Sequence, residues 1–177
     1  MTFFARAMSV LIVWFGATAP ALAHGPTPQK AEETITIAAP PAKVWEALKS
    51  FGDVSWNPAI AKATASGGND PGALRTITLE KGDLVEGLDE YIDKDMSYSY
   101  RLSTENVEAF PVSFYSATIA VTPAPDGSTV TWTGRFYRAD TGNFPPEDKN
   151  DEAAVNAMTK FMQEGLKGLK AKVEGKS

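Results

Sequence analysis

Hydrophobic and polar positions along this 177-residue chain change their period three times, and each change marks a different kind of element. Residues 33–38, ETITIA, alternate Thr34 and Thr36 with Ile35 and Ile37, the period of two of a strand with one buried face. Ala39-Pro40-Pro41 ends that run. Val44, Trp45 and Leu48 then form the apolar stripe of a short helix starting near Pro41, where the missing proline N–H is harmless. Residues 51–61 are too punctuated for a long helix, so a turn at Gly52 and one further helical turn over 58–61 are expected. From Lys62 the pattern is purely β, with strands predicted over 62–66, 74–79, 84–91, 98–102, 113–122 and 129–137. Turns fall at the Gly-Asn-Asp run before Pro71, at Lys81-Gly82, at 93–95 and at Pro125-Asp126-Gly127.

After Pro145-Pro146 the period becomes helical again. Val155, Met158, Met162, Leu166, Leu169 and Val173 form one stripe on a helix predicted over 148–173. Glu147, Asp148, Asp151 and Glu152 cluster at its start and Lys167, Lys170 and Lys172 towards its end, as the helix dipole favours. Gly165 and Gly168 inside it each cost about 1 kcal/mol against alanine. Either the missing side chains leave room for a strand, an aromatic ring or a ligand, or the helix frays near its end.

Alternation in the late strands puts Tyr115, Ala117, Ile119 and Val121 on one face, with Val130, Trp132 and Phe136 on the matching face of the next strand. Tyr98, Tyr100 and Leu102 continue that face, while Thr129, Thr131, Thr133 and Arg135 point the other way. One side of the sheet is therefore aromatic and the other solvated, as in an antiparallel sheet covered on a single face. The element order predicts an α+β, helix-grip architecture. A curved antiparallel sheet of about seven strands wraps a long C-terminal helix, two short helices follow strand 1, and a cavity lies between sheet and helix.

Residues 1–23 stand apart from this pattern. Arg6, an apolar run from Met8 to Trp14 and the small-residue end Ala21-Leu22-Ala23 read as a secretory signal cleaved after Ala23; the run is too short for a bilayer span. The division expected is signal 1–23, flexible leader 24–31 and one domain 32–177, in a periplasmic protein with no membrane span once mature. Cleavage removes only Arg6 from the charges, so 16 Lys and Arg face 22 Asp and Glu, a net charge of −6. No basic cluster remains that would neutralise a run of phosphates, which excludes nucleic acid as a natural partner. Cysteine is absent, which excludes disulfides, thiolate catalysis and cysteine-bound metal or haem.

The pieces VW at 44–45, FGDVSWNPAI at 51–60, GALRTITL at 72–79, VEGLDEYID at 85–93, YSYRL at 98–102 and STVTWTGRF at 128–136 occur in an order that resembles the polyketide-cyclase-like branch of the START and Bet v 1-like (SRPBCC) superfamily. The signal joined to HGPTPQK and ETITI is similar, more narrowly, to the MxaD group of periplasmic accessory proteins of bacterial methanol oxidation. That likeness implies a non-enzymatic helper of electron transfer from methanol dehydrogenase to its cytochrome c acceptor, without a cofactor of its own. The superfamily likeness also implies a carrier of a small hydrophobic ligand or, as a third reading, a cyclase or hydratase using Glu86 with a tyrosine.

Chemistry is sparse. The only histidine, His24, precedes the domain, so no Ser-His-Asp or His-carboxylate arrangement can form inside it; as a mature N-terminus it could chelate copper only with further ligands. No catalytic set and no metal site are expected. Glu86 shares its strand face with Leu84 and Leu88. A carboxylate there must be paired or protonated, which makes it a ligand contact or the partner of Arg75 or Arg101. Relatives in the resembled superfamily carry a Glu at the matching position that helps bind the polar group of a ligand. The expected cavity lining is Trp56, Glu86, Tyr98, Tyr100, Tyr115, Trp132, Phe136, Phe161 and Met162, with Trp56 at the rim or exposed to a partner.

Overall fold

The computed structural model describes residues 25–175; the expected signal and His24 lie outside them. β1 (Gln29–Ile37) is followed by α1 (Pro41–Leu48), then β2 (Lys62–Ser66), β3 (Leu74–Leu79), β4 (Gly82–Ile92), β5 (Ser97–Thr104), β6 (Val112–Ala124) and β7 (Gly127–Arg138), and the chain ends in α2 (Asp151–Glu174). The strands form one antiparallel sheet in the order β1-β7-β6-β5-β4-β3-β2. Only β1 leaves its sequence neighbour, crossing to pair with β7 at the opposite edge from β2. This is the expected helix-grip fold.

The alternation reads true in three dimensions. On β7 every second residue from Ser128 to Arg138 is buried, and on β6 Tyr115, Ala117, Ile119 and Val121 are buried while Ser116 and Thr118 are exposed. α2 lies on the buried face with Ala154, Met158, Met162, Leu166, Leu169 and Val173 turned inward. Its first turn is capped by Asn150, whose side chain accepts from the Ala153 N–H at 2.9 Å, and it ends on Gly175 at φ 69°.

Two expectations at the start of the domain are corrected. β1 begins at Gln29 inside the segment read as flexible leader, because β7 extends far enough to pair Gln29 with Phe136 and Ala31 with Gly134. The second short helix does not form. Residues 50–60 instead make three successive turns, Asp53 N–H to Ser50 O, Asn57 N–H to Val54 O and Ile60 N–H to Asn57 O. The Asn57 side-chain oxygen takes the Ala59 N–H at 3.1 Å, and Pro58 has no N–H to donate, so the local hydrogen bonds favour a turn over a helix.

Candidate functional site

Towards the β2 edge of the buried sheet face sits an ion pair. β3 and β4 place Arg75 directly opposite Glu86, and the two are 3% and 1% exposed. Arg75 Nε donates to Glu86 Oε2 at 2.5 Å and its Nη1 donates to the carbonyl of Phe51 at 2.8 Å. The other Glu86 oxygen, Oε1, accepts from the hydroxyl of Tyr115. The Arg75 guanidinium also lies 4.3 Å from the centroid of the Phe51 ring and 4.6 Å from that of Tyr100, within cation–π range. Of the two arginines considered for Glu86, Arg75 is the partner. Arg101 points to solvent and pairs with Asp89 at 2.6 Å.

This environment sets the protonation states. Burial works against the Arg75 charge, but the adjacent Glu86 carboxylate together with Tyr98 and Tyr100 outweighs it and the net shift is upward. Burial pushes the hydroxyls of Tyr98, Tyr100 and Tyr115 above the ordinary tyrosine range, and the Glu86 charge adds to that push. At neutral pH the three tyrosines are therefore neutral. They can donate hydrogen bonds but offer no phenolate base.

Around the pair the rings form a continuous chain. Tyr98 and Tyr100 both meet Phe51, at 6.0 and 6.1 Å, and Tyr100 meets Tyr115 edge-on at 6.5 Å. Tyr115 meets Phe110, Phe110 meets Phe161 at 5.4 Å, Phe161 meets Trp132 at 5.6 Å, and Trp132 meets Trp56 at 5.4 Å. Trp132 Nε1 donates to the Tyr100 hydroxyl at 3.0 Å. Phe136 and Met162 are buried alongside, and Met162 reaches over Gly134 on β7. The structure thus gathers Glu86, Tyr98, Tyr100, Tyr115, Trp132 and Phe161 around one centre. It adds Arg75, Phe51 and Phe110, the last two unforeseen because they sit in or beside connections where no periodicity announces an inward face.

Trp56 is corrected in position. Expected at a rim, it is 3% exposed, its indole N–H donates to the Asp53 carbonyl at 3.1 Å, and its ring packs on Trp132. The two helix glycines explain how it gets there. A Cβ on Gly168 would lie 2.1 Å from the Trp56 carbonyl oxygen and 2.8 Å from Pro58, and one on Gly165 would lie 2.8 Å from both Asn57 Nδ2 and the Trp132 ring. α2 therefore carries glycine where the Trp56-Asn57-Pro58 segment and Trp132 press against it, in place of fraying. Asn57 is 1% exposed, and its Nδ2 has no hydrogen-bond partner among the described residues.

Depressions open beside this centre. One of about 370 Å³ is bounded by Arg101, Leu102, Phe114, Tyr115 and Ser116. Another of about 260 Å³ runs between the 52–55 turn and the first residues of β2. Of the nine expected lining residues only Tyr115 borders either.

Comparison with known proteins agrees with this geometry. No curated protein matches the chain. Among solved structures, the protein XoxI from Bacillus cereus is 25% identical, covering 85% of this chain and 96% of its own, with a TM-score of 0.64. An uncharacterized protein from Bacillus thuringiensis is 24% identical over 84% of this chain and 99% of its own, TM-score 0.66. The Zhui aromatase/cyclase from Streptomyces sp. R1128 shares the fold at 16% identity, TM-score 0.68, over 84% of this chain and 94% of its own. The family described as "Polyketide cyclase / dehydrase and lipid transport" matches residues 28–174. With that match spanning nearly the whole of the described fold, this chain belongs to that polyketide cyclase/dehydrase and lipid-transport family, within the SRPBCC group.

Proposed function

We propose that the protein is a non-enzymatic periplasmic accessory protein of methanol oxidation, one that assists electron transfer from methanol dehydrogenase to its cytochrome c acceptor. The observation that carries the non-enzymatic part is the state of Glu86. Arg75 holds one of its oxygens and Tyr115 the other, whereas a general acid or base must offer an atom to the substrate. The only histidine of the sequence lies ahead of the domain, so no imidazole stands ready to replace it. Such a centre supports the grip and leaves the outer surface to do the work. The link to methanol oxidation rests on the likeness of the signal, the 24–30 segment and the first strand to the MxaD group, and export rests on residues 1–23. Titrating the purified mature protein into dehydrogenase and cytochrome is expected to raise the rate of cytochrome reduction in a saturable way. A flat rate across the titration would remove this reading.

A second reading, a carrier of a small hydrophobic molecule, is favoured by the aromatic chain around a polar centre and by a family that includes lipid transport. Under it, native mass spectrometry of gently purified protein is expected to show a bound apolar species that leaves on mild activation. Protein that is empty and also fails to bind lipophilic fluorescent probes would rule the carrier out.

A further inference from the structure

We propose that the acidic end of the grip, built from the β3–β4 turn, the 105–111 connection, the 139–150 loop and the first turn of α2, docks a basic face of a partner protein, with Phe144 as the anchoring side chain. The inference rests on the reading that this protein works through its surface, and it names the surface. Phe144 is 90% exposed, yet the loop that carries it is tied down. Arg138, itself buried, donates from Nε to the Asp140 carbonyl at 2.7 Å, from Nη2 to the Gly142 carbonyl at 2.8 Å and from Nη1 to Asp151 Oδ2 at 2.9 Å. The Gly142 N–H returns to Asp140 Oδ1 at 2.7 Å, and the Asp140 N–H reaches the Lys149 carbonyl at 3.2 Å. Pro145 and Pro146 stiffen the remainder. A large aromatic held out on a braced loop loses little freedom on binding, and aromatic residues are the side chains that most often anchor protein interfaces.

The surroundings of Phe144 indicate what it meets. Glu80, Glu105, Glu147, Asp148 and Glu152 are exposed and Asp140 is half-exposed. The cations at this end are Lys81, which is exposed, Lys149, which is tied to Glu108, Arg138, which is tied to Asp151, and Arg101 beside Phe114, which is tied to Asp89. Beside the loop a depression of about 330 Å³ has Val107, Ala109 and Pro111 among its apolar walls and Glu80, Glu108 and Asp148 among its acidic ones. On the sheet side of the same end Phe114, 68% exposed, borders Glu105. Carboxylates around apolar points complement a lysine- or arginine-rich face with an apolar patch at its centre. The chain's negative net charge steers such a partner in and repels an anionic bilayer.

The test measures binding of the mature protein to purified methanol dehydrogenase, to its cytochrome c acceptor and to phosphatidylglycerol vesicles at low and high salt. Its variants are Phe144→Ser and Glu147→Lys/Asp148→Lys, with melting curves to confirm that each still folds. One of the two proteins is expected to bind, with Kd rising at least tenfold in each variant and with a shallower salt dependence in the charge-reversed one. Unchanged Kd in both variants would overturn the docking surface and leave the accessory reading standing. Failure of the unaltered protein to bind either protein would overturn both, and binding to vesicles alone would reassign the surface to a membrane.

Discussion

An Arg75→Met protein is expected to lose about 3–5 kcal/mol of folding stability, measured by urea denaturation, because removing one member of a buried ion pair strands the charge of the other. Glu86 is 1% exposed, so water cannot replace the guanidinium without opening the sheet. The same variant frees the Phe51 carbonyl, which now accepts from Arg75, and removes the cation between the Phe51 and Tyr100 rings. Arg75→Met/Glu86→Leu should recover part of the loss, since no charge remains to be solvated. The Tyr115 hydroxyl would still be orphaned, a penalty of roughly 1–3 kcal/mol. Adding Tyr115→Phe should recover most of the remainder, as replacing a buried ionic set by apolar residues of similar volume often does, with the Phe51 carbonyl still short of the donor that Arg75 supplied. A loss below about 1 kcal/mol for Arg75→Met would show that the pair is not what holds β3 and β4 to this core. If the triple variant also keeps the effect on cytochrome reduction, the buried centre is scaffold alone; loss of that effect in a folded triple variant would return the centre to function.

The second large effect is expected at a residue with no side chain. Gly168→Ala should destabilise the protein by about 2 kcal/mol or more, although alanine in a helix interior is favoured by about 1 kcal/mol over glycine. The new methyl group would stand 2.1 Å from the Trp56 carbonyl oxygen, and a backbone atom cannot swing aside as a side chain can. Overpacking of this kind costs typically about 1–3 kcal/mol and sometimes more, and the short distance puts Gly168 at the upper end. Gly165→Ala should be milder, because its neighbours are the Asn57 and Trp132 side chains. For a domain of this size each kcal/mol corresponds to roughly 2–4 °C in melting temperature. A Gly168→Ala protein that melts at or above the temperature of the original would mean that α2 and the 56–58 segment are less closely apposed than described.

Much of this was legible in the residues. Period-two runs placed all seven strands, and the stripe from Val155 to Val173 placed α2 within three residues at its start and one at its end. These elements bury one face each, so hydrophobic spacing follows directly from geometry. Glu86 could be singled out from its strand face alone, because a carboxylate flanked by leucines on a buried face must find a partner.

What the spacing could not carry were the contacts between segments distant in sequence. Choosing Arg75 over Arg101 required the β3–β4 and β4–β5 registers and the face on which each arginine falls, since both sit on strands neighbouring Glu86. Trp56 looked available for a rim because its own segment gives no pattern; the approach of α2 to the 56–58 backbone at Gly168 and the Trp132 ring of β7 together cover it. Phe144 shows the converse, an apolar residue that the sheet and helix leave uncovered while Arg138 braces its loop. The sequence by itself thus determined the elements and their inward faces, since those depend on residues a few positions apart. The ion pair, the burial of Trp56 and the exposed anchor at Phe144 were decided by tertiary structure alone, because each depends on how closely the backbones of remote segments approach one another.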